Sequence, residues 1–284
     1  MFNEAGFGDM IQNIRYLPQL KALGPKVILD VKEELYKLLL NTKGVDQVIK
    51  FTKEERANVF GSTFTNLGLK LDLPPHDYVV SLHSLVYYFD PNLEKIPLEF
   101  PYIFPQPSTS EAVKVVKEHK AKIKAGITFC GNPNNDSDDH RSTYKRNFVP
   151  LMKIPGVQLF SLQKGKMERD WNGKINLLEG GEVLDSIDLA PMIKDFNDTA
   201  AVLQELDALV CVDTSVGHLA GALDLPVWSA LPDGQKWGDF RWQKKWYNSQ
   251  KLFFQTVPED WILLLEKITQ DLLDNPIISA KITT

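Results

Sequence analysis

The hydrophobic positions of the chain form short β-type runs that alternate with stretches of helical periodicity. In the first hundred residues this pattern predicts a strand at Phe2–Ala5, a helix from about Met10, a strand at Lys26–Val31, a helix at Glu33–Leu40, and strands at Val45–Phe51 and Tyr78–Leu82. Pro18 is expected to kink or end the first helix because proline lacks the amide proton. Such alternation is typical of βαβ units with a parallel sheet.

A second series of units follows a stretch rich in proline and aromatic residues, where we place a boundary between domains 1–106 and 107–284. The predicted elements are a helix at Ser110–His119 and strands at Ala125–Cys130, Val157–Leu162, Ile175–Leu178, Ala208–Val212 and Val227–Ala230. Two such halves predict an α/β protein of two Rossmann-like doubly wound domains that face each other across a cleft, with ligands beyond the carboxyl ends of the strands. The final amphipathic helix, Glu259–Leu273, fits either half.

Composition narrows the kind of ligand. The 284 residues carry a net charge of −5 without a Lys/Arg cluster, which argues against nucleic acid or an anionic membrane surface as a partner. No apolar run is long enough for a transmembrane segment, and no signal peptide is recognisable. Cys130 and Cys211 lie in apolar runs and indicate a reducing compartment. We therefore expect a cytoplasmic protein, and its composition does not exclude a small, discrete anion as a ligand.

The turn after Ala208–Val212 is the main candidate for that anion site. A buried strand that leads into a helix leaves the first helical N–H groups unpaired, and these groups and the helix dipole attract anions. His218 follows Thr214 by four residues and shares its helix face. The alternative is that Asp213 only caps the helix and His218 is structural. The predicted anion-binding segment comprises Asp213, Thr214, Ser215, Gly217 and His218.

Loops after two other predicted strands carry further candidates. Arg141, with Lys145 and Arg146 as competitors, follows Ala125–Cys130, and Gln163 and Lys164 follow Val157–Leu162. Cations on neighbouring loops can bind a diphosphate, although surface loops often carry Lys and Arg without a function. We therefore add Arg141, Gln163 and Lys164 to the predicted ligand-binding residues.

The loop after the first predicted strand reads Gly6-Phe7-Gly8-Asp9 and lacks the third glycine of a dinucleotide fingerprint, so no Rossmann cofactor is expected. The glycines allow a tight turn that holds the Asp9 carboxylate at the cleft, where it can act as a general base. The alternative for Asp9 is an N-cap of the helix that begins at Met10.

Other motifs have weaker support. Asp136-Ser137-Asp138 has an Asp-x-Asp pattern, but it lies in a long polar loop without other metal-ligand spacing, so no metal site is predicted. Asp198 is interpreted as part of an N-capped structural helix. The aromatic segment Trp237–Trp242, with Trp246 and Tyr247, either walls a pocket or packs the domain edge.

Taken together, these motifs resemble GT-B glycosyltransferases of the ADP-heptose:lipopolysaccharide heptosyltransferase type, and especially their relatives found behind tetratricopeptide repeats. The similarity extends over nearly the whole chain. It is carried by Gly6-Phe7-Gly8-Asp9 with Arg15-Tyr16-Leu17-Pro18, Gly126-Ile127-Thr128 with Gly131-Asn132-Pro133, Ser161-Leu162-Gln163, Asp195-Phe196-Asn197-Asp198-Thr199-Ala200, and Val212-Asp213-Thr214 with His218-Leu219-Ala220-Gly221-Ala222-Leu223.

The resemblance implies an inverting, metal-independent transfer of a sugar from an ADP-heptose-like nucleoside-diphosphate donor to a hydroxyl of a glycan or other acceptor, without a cofactor. In that family the acid at Asp9 is the catalytic base. The Asp-Thr segment and its histidine, here Asp213 to His218, bind the donor, and Arg141 matches a basic residue that contacts the diphosphate.

Two departures from the family pattern concern the chain ends. Only five residues precede Gly6, so we expect either a trimmed first domain or a native chain that extends upstream. Lys244–Ser249 replaces a proline-containing run of the family. The alternatives to a transferase are a catalytically idle GT-B-like domain that binds a nucleotide sugar or a partner, and a hydrolase or epimerase acting on a nucleotide sugar.

Overall fold

The computed structural model describes residues 6–51, 74–132, 138–165, 174–176, 183–233 and 244–283. The strands are β1 Ile28–Lys32, β2 Gln47–Phe51, β3 Ile123–Thr128, β4 Val157–Ser161, β5 Lys174–Asn176, β6 Val183–Asp188, β7 Ala208–Val212, β8 Val227–Leu231 and β9 Gln250–Phe254. The helices are α1 Phe7–Asn13, α2 Leu17–Ala22, α3 Glu33–Leu39, α4 Leu82–Phe89, α5 Glu111–Glu118, α6 Asp138–Arg141, α7 Val149–Met152, α8 Phe196–Leu203, α9 Ser215–Ala222, α10 Trp261–Leu273 and α11 Pro276–Thr283. Short 3₁₀ helices occupy Ile14–Tyr16, Lys145–Phe148 and Ala190–Met192.

A seven-stranded sheet forms the second half, in the order β5-β6-β4-β3-β7-β8-β9. All its neighbouring strands are parallel except the pair β5–β6, which is antiparallel. In the described part of the first half, β1 and β2 form a parallel pair with Ile28 opposite Gln47. The parallel pairing predicted from the alternation of strands and helices is therefore present in both halves.

Alternate residues of β7 enter hydrophobic clusters on opposite faces of the large sheet. Leu209 and Cys211 belong to a cluster that continues into the first half, whereas Ala208, Val210 and Val212 belong to the cluster under α10. Every residue of β7 and β8 is buried. This is the burial expected of parallel strands that are covered on both faces.

The final long helix packs on the second half, which resolves an ambiguity of the sequence. Helix α10 buries Trp261, Leu265 and Ile268 in the cluster under the sheet. Its Asp271 accepts a hydrogen bond of 2.6 Å from the indole of Trp228 in β8. The helix thus covers the face of the large sheet that lies away from the first half.

Several predicted elements differ from the structure. Tyr78–Leu82 is not a strand: Leu82 begins α4, because the hydroxyl of Ser81 accepts from the amide of His83 and caps that helix. Asp195, not Asp198, is the N-cap of α8. The first helix begins at Phe7 rather than Met10 and ends before Pro18, which lies in the first turn of α2.

Further differences concern strands without a clear periodic signal. The sequence did not predict β6, β9 or helix α11. The predicted strand Phe2–Ala5 lies outside the described residues. The remaining predicted strands agree with the structure to within about two residues at most ends.

The segment that connects the halves is held by α8. The amide of Gln106 donates to the Asn197 side chain at 2.7 Å, and the Asn197 side chain donates back to the Gln106 carbonyl at 3.1 Å. Ser108 donates to Asp198 at 2.7 Å. The predicted domain boundary at residues 106 and 107 thus lies beside the start of α8. None of the described helices is long and apolar enough to cross a membrane.

Gly221 in α9 provides a test of this packing. A Cβ added there would lie 2.4 Å from Cγ of Tyr247. We expect Gly221→Ala to lower the free energy of unfolding by about 1–3 kcal/mol, as overpacking of a core does. Urea denaturation followed by circular dichroism measures it. Helix propensity alone favours alanine by about 1 kcal/mol, so unchanged or increased stability would contradict the close contact.

Candidate active site

The predicted anion-binding segment lies at the carboxyl end of β7 and the start of α9. Thr214 is the N-cap residue of α9, with extended backbone and no side-chain cap hydrogen bond. Its hydroxyl lies 3.2 Å from the hydroxyl of Thr128, at the end of the neighbouring strand β3. Asp213 is therefore not the cap. The helix start keeps the character of an anion site.

His218 lies one turn into α9 and its side chain is 9% exposed. Its Nε2 is 4.0 Å from Oδ1 of Asp213, and its Nδ1 is 2.9 Å from the hydroxyl of Tyr247. The imidazole is thus held through Nδ1, has a carboxylate near Nε2, and lies beside the turn that begins α9. Gly217 permits this helix to lie close to β7, because a Cβ at Gly217 would come within 2.9 Å of the Cys211 sulfur.

Helix α1 of the first half packs against the start of α9. A Cβ on Gly8 would lie 2.8 Å from Cδ2 of His218 and 3.4 Å from the Cα of Ser215. Glycine is therefore required at this position for the two helices to approach. Asp9 is the next residue, so the structure brings its helix to the predicted anion-binding segment.

The two oxygens of the Asp9 carboxylate have different neighbours: one binds the backbone at the start of α1, and the other faces a histidine side chain. Oδ2 accepts a hydrogen bond of 3.0 Å from the amide of Gly6, the N-cap of α1. Oδ1 lies 3.7 Å from Nε2 of His83 in α4. The side chain is 23% exposed. Asp9 is thus not the N-cap of a helix that begins at Met10, as one interpretation of the sequence had it, but the third residue of α1, whose carboxylate binds the amide of the N-cap Gly6.

The three remaining candidates follow β3 and β4 as predicted, and each makes local contacts. Arg141 pairs with Asp138 at 3.0 Å. Gln163 accepts from the amides of Phe129 and Cys130 and joins the ends of β3 and β4. The Lys164 ammonium donates to the Ile193 carbonyl, although the residue is exposed.

The Asp136-Ser137-Asp138 motif, considered above as a metal site, is only partly within the described residues. Asp136 lies outside the described residues, as do residues 234–243 of the aromatic segment. Asp138 is engaged by Arg141. Among the described residues, no group of three or more His, Cys, Asp or Glu side chains is placed to hold a metal ion.

Sequence reasoning assigned no role to Arg15, a buried cation beside the site. Its Nε donates to the Gln12 carbonyl at 2.8 Å, Nη1 donates to the Trp246 carbonyl at 2.7 Å, and Nη2 donates to the Tyr102 hydroxyl at 2.8 Å. The guanidinium also lies over the rings of Tyr102 and Tyr247, at 4.6 and 4.8 Å from their centroids. The signals available in the sequence were the position of Arg15 between apolar residues and its place in the Arg15-Tyr16-Leu17-Pro18 motif of the family resemblance.

Burial determines the protonation of two other groups near the site. Desolvation raises the pKa of Tyr247 well above its usual value, with the neighbouring Tyr102 in the same direction and the Arg15 cation opposing them. The Tyr247 hydroxyl therefore keeps its proton at neutral pH. Burial also raises the pKa of the Cys211 thiol to about 12, so that this cysteine is a packing residue rather than a nucleophile.

Comparison with known proteins gives a family match and a set of similar folds. The model of glycosyltransferase family 9 (heptosyltransferase) matches residues 173–229. The structure of E. coli ADP-heptose LPS heptosyltransferase II is similar with a TM-score of 0.60 at 15% identity, covering 99% of this chain and 97% of that one. The E. coli heptosyltransferase WaaC with ADP-2-deoxy-2-fluoro heptose gives a TM-score of 0.52 at 14% identity, covering 96% and 98%. No curated protein sequence matches the chain.

The family match covers β7, α9 and the first three residues of β8, and with them the predicted anion-binding segment. The fold match extends over nearly all of both chains. The chain therefore has an α/β fold of the GT-B kind, similar to that of these heptosyltransferases. The fold class predicted from the sequence is confirmed. A more distant similar fold, at a TM-score of 0.50 and 9% identity, is the iron-containing dodecameric glycosyltransferase TibC from enterotoxigenic E. coli H10407, covering 99% of this chain and 75% of that one.

The buried Arg15 gives the second prediction. Arg15→Lys should lower the free energy of unfolding by about 2–3 kcal/mol, because an ammonium cannot reproduce the planar set of donors and leaves buried acceptors unpaired. Chemical denaturation measures the change. Arg146→Lys, at an exposed arginine that lies over Tyr144, is the matched control and should change stability by less than about 0.5 kcal/mol. Equal effects of the two substitutions would contradict a structural role of Arg15.

Proposed function

We propose that the protein transfers a sugar from a nucleoside-diphosphate donor, of the ADP-heptose kind, to a hydroxyl of a glycan or other acceptor. The donor class is supported by the family match and by the solved WaaC complexes with ADP and an ADP-heptose analogue. The proposal rests on the close approach of Gly8 to His218 and Ser215. This packing brings α1, which carries the Asp9 carboxylate, against the predicted anion-binding segment at the start of α9.

The donor diphosphate is proposed to lie at the start of α9. Backbone N–H groups there, the hydroxyls of Thr214 and Ser215, and the imidazole of His218 supply donors to its oxygens. Asp213, in the same segment, is proposed to take part in binding the donor sugar and diphosphate. Arg141 and Lys164 lie on loops at the same end of the parallel strands and add positive charge, and Gln163 holds those strand ends together.

Asp9 is the proposed general base. Its Oδ1 accepts the proton of the acceptor hydroxyl as that oxygen forms a bond to the anomeric carbon. The bond from the anomeric carbon to the diphosphate oxygen breaks on the opposite face, so the configuration inverts. The groups around the start of α9 stabilise the charge on the departing nucleoside diphosphate. With these donors and cations in place, we propose that the transfer requires neither a metal ion nor another cofactor.

Nucleotide binding gives the third prediction. A panel of ADP, UDP, GDP and CDP should include one nucleotide that raises the melting temperature of the protein. A ligand present at a hundred times its Kd adds about 2.7 kcal/mol of stability. His218→Ala should abolish the shift, whereas His76→Ala, at an exposed histidine, should retain it. No shift with any nucleotide would contradict the proposed donor site.

The role of Asp9 gives the fourth prediction. Asp9→Asn should lower kcat about 10²- to 10⁴-fold, the usual contribution of a general base, and should leave the donor Kd nearly unchanged. Release of ADP from ADP-heptose with a set of sugar-terminated acceptors measures turnover, and calorimetry measures binding. Asp139→Asn, at an exposed position, is the control.

Three outcomes of this assay would contradict parts of the proposal. Collapse of donor affinity in Asp9→Asn would make Asp9 a structural cap only. Donor binding without transfer to any acceptor would favour the idle binding domain. Loss of transfer in the presence of EDTA, restored by a metal salt, would show that the reaction requires a metal.

A further inference from the structure

Tyr247 joins His218 to the interior of the protein. Its hydroxyl lies 2.9 Å from Nδ1 of His218, and its ring packs on Gly221 in the same helix. The side chain is fully buried. The contact is therefore a fixed hydrogen bond within the core and not a flexible surface contact.

The direction of this hydrogen bond follows from the groups around it. The buried Tyr247 hydroxyl keeps its proton and has to direct it to an acceptor. Arg15, whose guanidinium lies over the Tyr247 ring, has N–H donors only and cannot accept that proton. A permanent cation there also favours an O–H bond that points away from it. The Tyr102 hydroxyl is also close, but its oxygen already accepts from Arg15 and its proton goes to the Ile11 carbonyl. Nδ1 of His218, at 2.9 Å, is the stronger acceptor, so Tyr247 donates to it and Nδ1 is unprotonated.

The opposite edge of the imidazole leads to the same protonation state. Nε2 lies 4.0 Å from the Asp213 carboxylate, which at neutral pH carries acceptors only. A proton on Nε2 is attracted to that carboxylate, whereas a lone pair there would face it unfavourably. Two groups on different elements, Tyr247 before β9 and Asp213 after β7, thus select one tautomer of His218.

We propose that Tyr247 is a positioning residue for donor binding that holds His218 in the tautomer with its proton on Nε2. This deepens the function proposed above and rests on it, because the Nε2–H group is the one that a diphosphate at the start of α9 would accept from. Arg15 acts one step further away, since its hydrogen bond to the Trp246 carbonyl holds the segment that carries Tyr247. A cation of the first half thereby sets the protonation of a ligand-binding group in the second half.

The test is the tautomer of His218 in the ligand-free full chain. Long-range ¹H–¹⁵N spectra of protein labelled at its five histidines are recorded at about pH 8, above the usual histidine pKa. His218→Ala assigns the signals. We expect Nδ1 to be unprotonated and Nε2 to carry the proton. In Tyr247→Phe, which keeps the ring but removes the hydroxyl, we expect the Nδ1 signal to move and the second tautomer to appear.

A matched variant separates this effect from general damage to the cluster. Tyr102→Phe removes another hydroxyl that Arg15 contacts, one that donates to the Ile11 carbonyl. It should leave the His218 signals unchanged. ADP affinity should fall about 2- to 12-fold in Tyr247→Phe, as the loss of one net hydrogen bond implies.

The possible results are distinct. A proton on Nδ1 in the wild-type chain, or an Nδ1 signal that is the same in Tyr247→Phe, would overturn the proposal. If Tyr247→Phe does not fold, the wild-type tautomer alone decides it. If the wild-type chain binds no nucleoside diphosphate, the proposed function fails, whereas the tautomer is still decided by the spectra.

Discussion

The buried guanidinium of Arg15 is the interaction on which the arrangement of the site depends. A charge removed from water is tolerated only when its donors are paired, and here the partners come from three parts of the chain. They are the Gln12 carbonyl in the first half, Tyr102 in the connecting segment and the Trp246 carbonyl before β9. The connection is reinforced by the amide of Tyr102, which donates to the Ala222 carbonyl at the end of α9. The halves are therefore joined by polar contacts at a defined point.

Small residues determine how closely the elements meet around that point. Gly8 allows α1 to contact the imidazole of His218, Gly217 allows α9 to lie on β7, and Gly221 allows the ring of Tyr247 to lie flat against α9. Gly217 and Gly221 belong to α9 itself, whereas Gly8 belongs to α1, which packs against the start of α9. As a result, α9 is packed on several sides while its first turn stays at the edge of the sheet, where a ligand can approach. Rigid packing of this kind keeps donor groups oriented before a ligand arrives.

Local pattern was enough for the centre of the fold and for much of the candidate site. The continuous apolar run Ala208–Val212 and the small-residue helix after it could be placed because a buried parallel strand and a glycine-rich helix leave direct marks in sequence. The strand prediction at Tyr78–Leu82 was wrong because apolar residues of this kind occur in strands and helices alike. The N-cap Ser81 starts a helix there instead. Strands β6 and β9 lie at or near the edges of the sheet and contain charged residues within short apolar runs. Their sequences therefore lack the continuous apolar pattern from which the central strands were predicted. The roles of Arg15 and Tyr247 could not be predicted, since their partners are distant in sequence and meet only after folding.

The bond between Arg15 and Trp246 spans 231 positions of the chain. During synthesis, the first half emerges long before its partner carbonyl exists, and the Arg15 cation remains in water until nearly the whole second half has been made. Contacts of such long range add to the entropy of closing the chain and are formed late. The hydrogen bond between His218 and Tyr247 involves the same late segment. The proposed nucleotide site is therefore completed late, and a ribosome-bound chain that stops before Trp246 has helix α9 but lacks Tyr247, the hydrogen-bond partner of His218.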